Sequence, residues 1–140
     1  IYSVQGDDFK ALDYFKKSLK IVLSVYGENH SQVSSIYDHI GEVYFAQKDY
    51  SKALYYFEES LKIRLSLFGE NHPEVALSYY SIGSLYIIQG DKSKALNYYE
   101  KSLKIRLSVY GENHPLTKEI MDLINVAANS KVLQSPETTK

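Results

Sequence analysis

The string Gly-Glu-Asn-His occurs three times, at Gly27–His30, Gly69–His72 and Gly111–His114, each copy 42 residues after the one before. The likeness extends outward from it. Ala53-Leu-Tyr-Tyr-Phe-Glu-Glu-Ser-Leu-Lys-Ile-Arg-Leu-Ser returns as Ala95-Leu-Asn-Tyr-Tyr-Glu-Lys-Ser-Leu-Lys-Ile-Arg-Leu-Ser, and Ala11 opens an earlier copy. A fixed period of this kind confines the chain to repeat architectures, in which each unit buries its apolar face against its neighbours.

Each unit reads as two helices. In the middle copy Val33, Ile36, Tyr37, Ile40, Val43 and Tyr44 recur at the spacing of one helical face. Lys48-Asp49 makes a short turn, and a second stripe follows at Ala53, Leu54, Phe57, Leu61, Leu65 and Phe68. Gly69 fits a helix C-terminal cap, and Pro73 with Glu74 fits the next helix start. No segment alternates as a strand does. The expected organisation is all-α. A partial repeat spans 1–26, with Ile1–Gln5 ending a first helix and Asp7–Tyr26 its partner. Full repeats span 31–68 and 73–110, a terminal helix 115–128, and a flexible tail 129–140. Opening on Ile1 rather than Met, the chain reads as a fragment.

Composition excludes several functions. Among 140 residues there is no Cys, which removes disulfides, thiolate metal sites and Cys nucleophiles. A net charge of −1 gives no general bias toward nucleic acid. No run approaches the roughly 18–20 apolar residues of a membrane span, and no secretory signal opens the chain. A cytoplasmic location is expected. No catalytic constellation is visible either. Ser18, Ser60 and Ser102 form one repeated column, which marks a structural role, and the adjacent Glu58 and Glu59 point in different directions on a helix. His30, His72 and His114 share one loop position. Copies spaced by roughly 10 Å cannot share a metal, so a cap or loop contact is expected. No enzyme activity, metal or cofactor is predicted.

The residue pattern identifies the repeat type. Tyr37-x2-Ile40-Gly41-x2-Tyr44 is followed by Ala53-x3-Phe57, and Tyr79-x2-Ile82-Gly83-x2-Tyr86 by Ala95-x3-Tyr99. This resembles the tetratricopeptide signature, with Tyr in the place of Trp. The 42-residue length and the Gly-Glu-Asn-His-Pro linker resemble the kinesin-light-chain and nephrocystin type. The resemblance implies a right-handed superhelical solenoid of antiparallel hairpins. First helices would line a concave groove that holds a partner peptide or protein, with no intrinsic catalysis.

By that resemblance the groove positions are Ser35, Asp38, Glu42 and Phe45 in the middle unit, then Leu77, Tyr80, Ser84 and Ile87. Glu119 and Asp122 (with Val126) follow on the last helix. Kinesin-light-chain repeats carry an Asn pair just after the Tyr37 column. This chain has Asp38-His39, Tyr80-Ser81 and Asp122-Leu123 there, so the cargo-peptide mode is not carried over. The groove is acidic with apolar islands, and its complement is a basic or mixed basic–apolar peptide. The cations Lys16, Lys17, Lys20, Lys62, Arg64, Lys101, Lys104 and Arg106 lie on second helices and read as a solvated face. A second possibility is a structural element that self-associates end to end. Most of the 14 Tyr and 5 Phe fall in columns of period 42, which marks them as core. Phe45 and Tyr80 lie outside those columns and are read as free for binding.

Overall fold

The computed structural model describes residues 4–129, with side chains from Asp7 onward. Ile1–Ser3 and the tail expected beyond Asn129 lie outside the described residues. Six helices follow one another: α1 (Val4–Tyr26), α2 (Ser31–Ala46), α3 (Tyr50–Phe68), α4 (Pro73–Gln89), α5 (Lys92–Tyr110) and α6 (Pro115–Asn129). No strand occurs among the described residues. The chain forms two compact units, Ile1–Leu67 and Phe68–Lys140.

The repeated linker builds its own helix boundaries. Each copy opens on a glycine with positive φ, 85° at Gly27, 81° at Gly69 and 87° at Gly111, a conformation that costs glycine little. Each copy closes on the histidine. His30 Nδ1 accepts the Gln32 amide, His72 the Glu74 amide and His114 the Leu116 amide, all at 3.1 Å. The three side chains cap their helices as Asp or Ser does elsewhere. Each ring also stacks on the last aromatic of the preceding helix, Tyr26, Phe68 or Tyr110, at a centroid distance of 4.2 Å. The asparagine of the motif reaches onward. Asn29 donates to Ser66 and Asn71 to Ser108, both at 3.0 Å.

In unit 1, Val33, Ile40 and Tyr44 of α2 are buried with Ala53 and Phe57 of α3, and Leu12 is buried on α1. In unit 2, α4 buries Val75, Ala76, Ile82 and Leu85 with Ala95, Tyr99 and Ile105 of α5, and α6 adds Ile120 and Ala127. The small residues set how closely each hairpin closes. A Cβ on Gly41 would meet the Phe57 ring at 2.8 Å, and one on Gly83 the Tyr99 ring at 2.7 Å.

One expectation is corrected. Val4–Gln5, read as the end of a preceding first helix, belong to α1, which runs unbroken through Gly6. Gly6 shares a column with Lys48 and Gly90, which turn the chain at positive φ in the later copies. Glycine permits that turn without forcing it. The reversal at 48 and 90 is held by two helices closing on each other, and no described helix precedes α1.

Candidate functional site

The positions assigned to partner binding all lie on first helices, α2 in unit 1 and α4 and α6 in unit 2. In unit 1, Ser35 and Glu42 are exposed, and Glu42 sits 3.6 Å from His39 Nδ1. His39 stacks on Phe15 of α1 at 5.1 Å. Phe45 is half-buried and meets Tyr50 edge-on at 5.5 Å, so its ring is not free. Asp38 is not an open groove acid. Its carboxylate lies 2.6 Å from Arg64 Nη1, with 15% of the side chain exposed. Burial raises its pKa, and the attraction of Arg64 works against that rise.

In unit 2, Leu77 is exposed and Ile87 half-buried. Ser84 Oγ and the Tyr99 hydroxyl share a hydrogen bond of 2.9 Å. Burial, the larger effect, raises the Tyr99 pKa against that bond. Tyr80 is also engaged rather than free. Its ring stacks near Tyr99, 6.3 Å between centroids, and Arg106 lies 5.5 Å from its centre, within cation–π range. Arg106 in turn donates to the Leu116 carbonyl at 3.1 Å and approaches the Glu119 carboxylate at 3.7 Å. Burial lowers the Arg106 pKa, opposed by Glu119. Tyr80 of α4 and Glu119 of α6 are thus brought together around one α5 cation. Asp122 is exposed.

The two arginines overturn the solvated-face reading for their column. Arg64 and Arg106 are each only 4% exposed. Their position in the sequence explains it. Ala53, Phe57, Ser60 and Arg64 follow each other at i, i+4, i+7 and i+11, as do Ala95, Tyr99, Ser102 and Arg106. That is the buried face, and Val22 holds the same column in α1. The lysines of the same helices, Lys16, Lys17, Lys20, Lys62, Lys101 and Lys104, are exposed. Ser60 and Ser102 are fully buried, in keeping with a structural column.

A cleft of about 740 Å³ in unit 1 has none of the positions assigned to partner binding in its wall, which includes Lys16, Tyr44 and Lys52. Among the described residues no group of three or more His, Asp or Glu could hold a metal ion. No described helix is long and apolar enough to cross a membrane.

A family model of the tetratricopeptide repeat matches residues 1–66 and again 36–108. The chain belongs to the tetratricopeptide repeat family, an all-α helical-repeat fold. Among solved structures it is similar to BtubC (BKLC) from P. vanneervenii, with 25% identity and a TM-score of 0.76 over 91% of this chain and 52% of that one. It is also similar to a Podosopora anserina protein of nearly identical TPR-like repeats, assigned to the kinesin light chains. There the identity is 16% and the TM-score 0.76, over 88% of this chain and 58% of that one. The chain therefore spans about half the length of these structural relatives. A search of curated protein sequences gave no significant match. Repeats of this family are in general protein–protein interaction modules and non-catalytic scaffolds.

Proposed function

We propose that the chain is a scaffold or adaptor module, set in the cytoplasm, that binds a basic or mixed basic–apolar peptide segment through the outer positions of its first helices. The observation that carries this reading is the surface of unit 2. Leu77, Tyr80 and Ile87 offer apolar area on α4, and Glu119 and Asp122 offer acids on α6. Tyr80 is already oriented by Tyr99 and Arg106, so little side-chain entropy is lost when a ligand covers it.

The buried arginines shift the weight between charge and apolar contact. Arg64 offsets Asp38, and Arg106 partly offsets Glu119. Glu42 and Asp122 are the more exposed acids that remain. The apolar part of the ligand therefore carries more of the affinity than acid count alone suggests.

A peptide array probed with the wild type and with Tyr80→Ala tests this. Basic–apolar peptides should bind, and the substitution should weaken them by about tenfold or more. Equal binding of acidic peptides, or no effect of the substitution, would sink the reading.

End-to-end stacking of copies has less behind it. Asn125 of α6 stands in the column of Gly41 and Gly83, where a hairpin has no room for a side chain. Light scattering across a concentration range should find one unchanging mass.

A further inference from the structure

In unit 2 a cleft of about 540 Å³ opens between Glu70 and Asn71 of the linker, Tyr79 of α4, and Lys101, Lys104 and Ile105 of α5. Unit 1 has a counterpart of about 270 Å³, walled by Glu28, Asn29, Tyr37, Glu59, Lys62 and Ile63. These residues match one to one at the 42-residue period, and five of the six pairs are identical. The sixth sets Glu59 against Lys101.

That exchange reverses the charge balance. In unit 1, Lys62 Nζ donates to the Glu59 carboxylate at 3.2 Å and is thereby offset. In unit 2 the Lys101 ammonium lies over two rings instead. It is 5.5 Å from the centre of Tyr79 and 5.4 Å from that of Tyr98, a placement that restricts a long side chain. Lys104 follows three residues on, which puts the two Cβ atoms about 5–6 Å apart on one face of α5. Both lysines are exposed, and neither pairs with a carboxylate among the described residues. The acid of the cleft, Glu70, acts on the Tyr79 hydroxyl, whose pKa is raised by burial and further by that carboxylate. Tyr79 and Ile105, the latter 5% exposed, supply the apolar part of the wall.

We propose that this cleft of unit 2 is a binding site for a phosphotyrosine side chain of a partner protein. Exposed lysine–carboxylate pairs gain little, so an ordinary acidic residue would be held poorly here. A phosphate ester brings close to two charges and three acceptor oxygens, enough for both lysines to act on one group. The aromatic ring that carries it finds a partner in Tyr79 and apolar contact at Ile105. The volume of about 540 Å³ falls in the range of small-ligand pockets, about 300–1,000 Å³, and that of the unit 1 cleft falls below it. None of the first-helix positions of the proposed function lines the cleft, so the two sites can be tested apart.

The test is an NMR titration of the isotope-labelled whole chain with a short peptide that carries one phosphotyrosine among glycines and serines. The Asn71 and Lys104 amides should shift saturably, with Asn29 and Lys62 unmoved. Lys101→Glu gives the cleft the residues of its counterpart. It should weaken binding by about tenfold or more, with the thermal midpoint unchanged because the site is exposed. Tyr80→Ala should leave the titration as it is. The proposal fails if the peptide shifts neither cleft or both alike, or if Lys101→Glu binds as well as the parent. It also fails if inorganic phosphate or a phosphoserine peptide binds as tightly, since the lysines then hold any phosphate and the ring adds nothing. A loss with Tyr80→Ala would put the peptide on the first-helix surface and overturn it as well.

Discussion

The residues that matter most are those whose neighbours leave no alternative. Gly83 is one. An alanine there would place its Cβ 2.7 Å from the Tyr99 ring and 3.2 Å from the Ala95 carbonyl. Tyr99 is buried and held by Ser84, so it cannot swing away. Gly83→Ala should destabilise the protein by about 1–3 kcal/mol in a denaturant titration. Asparagine is tolerated at 125 because nothing described packs on that face of α6. Asp38 and Arg64 make a second case. Asp38→Ala removes the carboxylate 2.6 Å from an arginine that is 4% exposed, and should cost about 3 kcal/mol. Replacing both residues together, Asp38→Leu with Arg64→Met, should recover most of that loss, and a double-mutant cycle reads the difference. A fully additive cycle would show that the pair is not coupled. The glycine was legible from the sequence because Gly83, like Gly41, holds the glycine position of the repeat signature. The arginine was not, because Lys-Ile-Arg reads as a basic run on composition alone. Periodicity places Lys62 and Arg64 on different sides, and only Arg64 continues the line from Ala53 through Phe57 and Ser60.

At the scale of elements, the linker and the turn solve the same problem with different chemistry. The Gly-Glu-Asn-His linker stops one helix, caps the next through histidine and ties to a second helix through asparagine. All of it repeats in sequence, so the helix boundaries from Ser31 to Tyr110 were legible. The extent of α1 was not, because Gly6 permits a turn that only a neighbouring helix would enforce. The tight turn within each hairpin is less uniform. Lys48 adopts φ 66°, while Gly90 in the same column sits at 84°. Asp49 and Asp91 then cap α3 and α5 by accepting the Lys52 and Lys94 amides. A left-handed lysine costs about 1 kcal/mol that glycine avoids. Lys48→Gly should therefore raise stability by about that amount, although glycine also loosens the unfolded chain. The measurement is the thermal midpoint, which should move up. An unchanged or lower midpoint would mean that the Lys48 side chain contributes through contacts that offset its backbone strain.

Across the whole molecule the core is unevenly shared. Unit 2 buries Val75, Ala76, Ile82, Leu85, Ala95, Tyr99, Ile105, Ile120 and Ala127, drawn from all three of its helices. Among the described residues unit 1 buries Val33, Ile40, Tyr44, Ala53 and Phe57 from α2 and α3, but only Leu12 from α1. Helices of a repeat protein are stabilised mainly by the faces they share with neighbours. A helix with one covered side should open more often than one covered on two. Amide hydrogen exchange should therefore be fastest along α1, slowest along α5, and intermediate in α2 and α3. The gradient concerns local opening, so it should persist in conditions where the chain is fully folded by circular dichroism. If α1 is as protected as α5 without any ligand, the covered-face account of this repeat's stability is wrong.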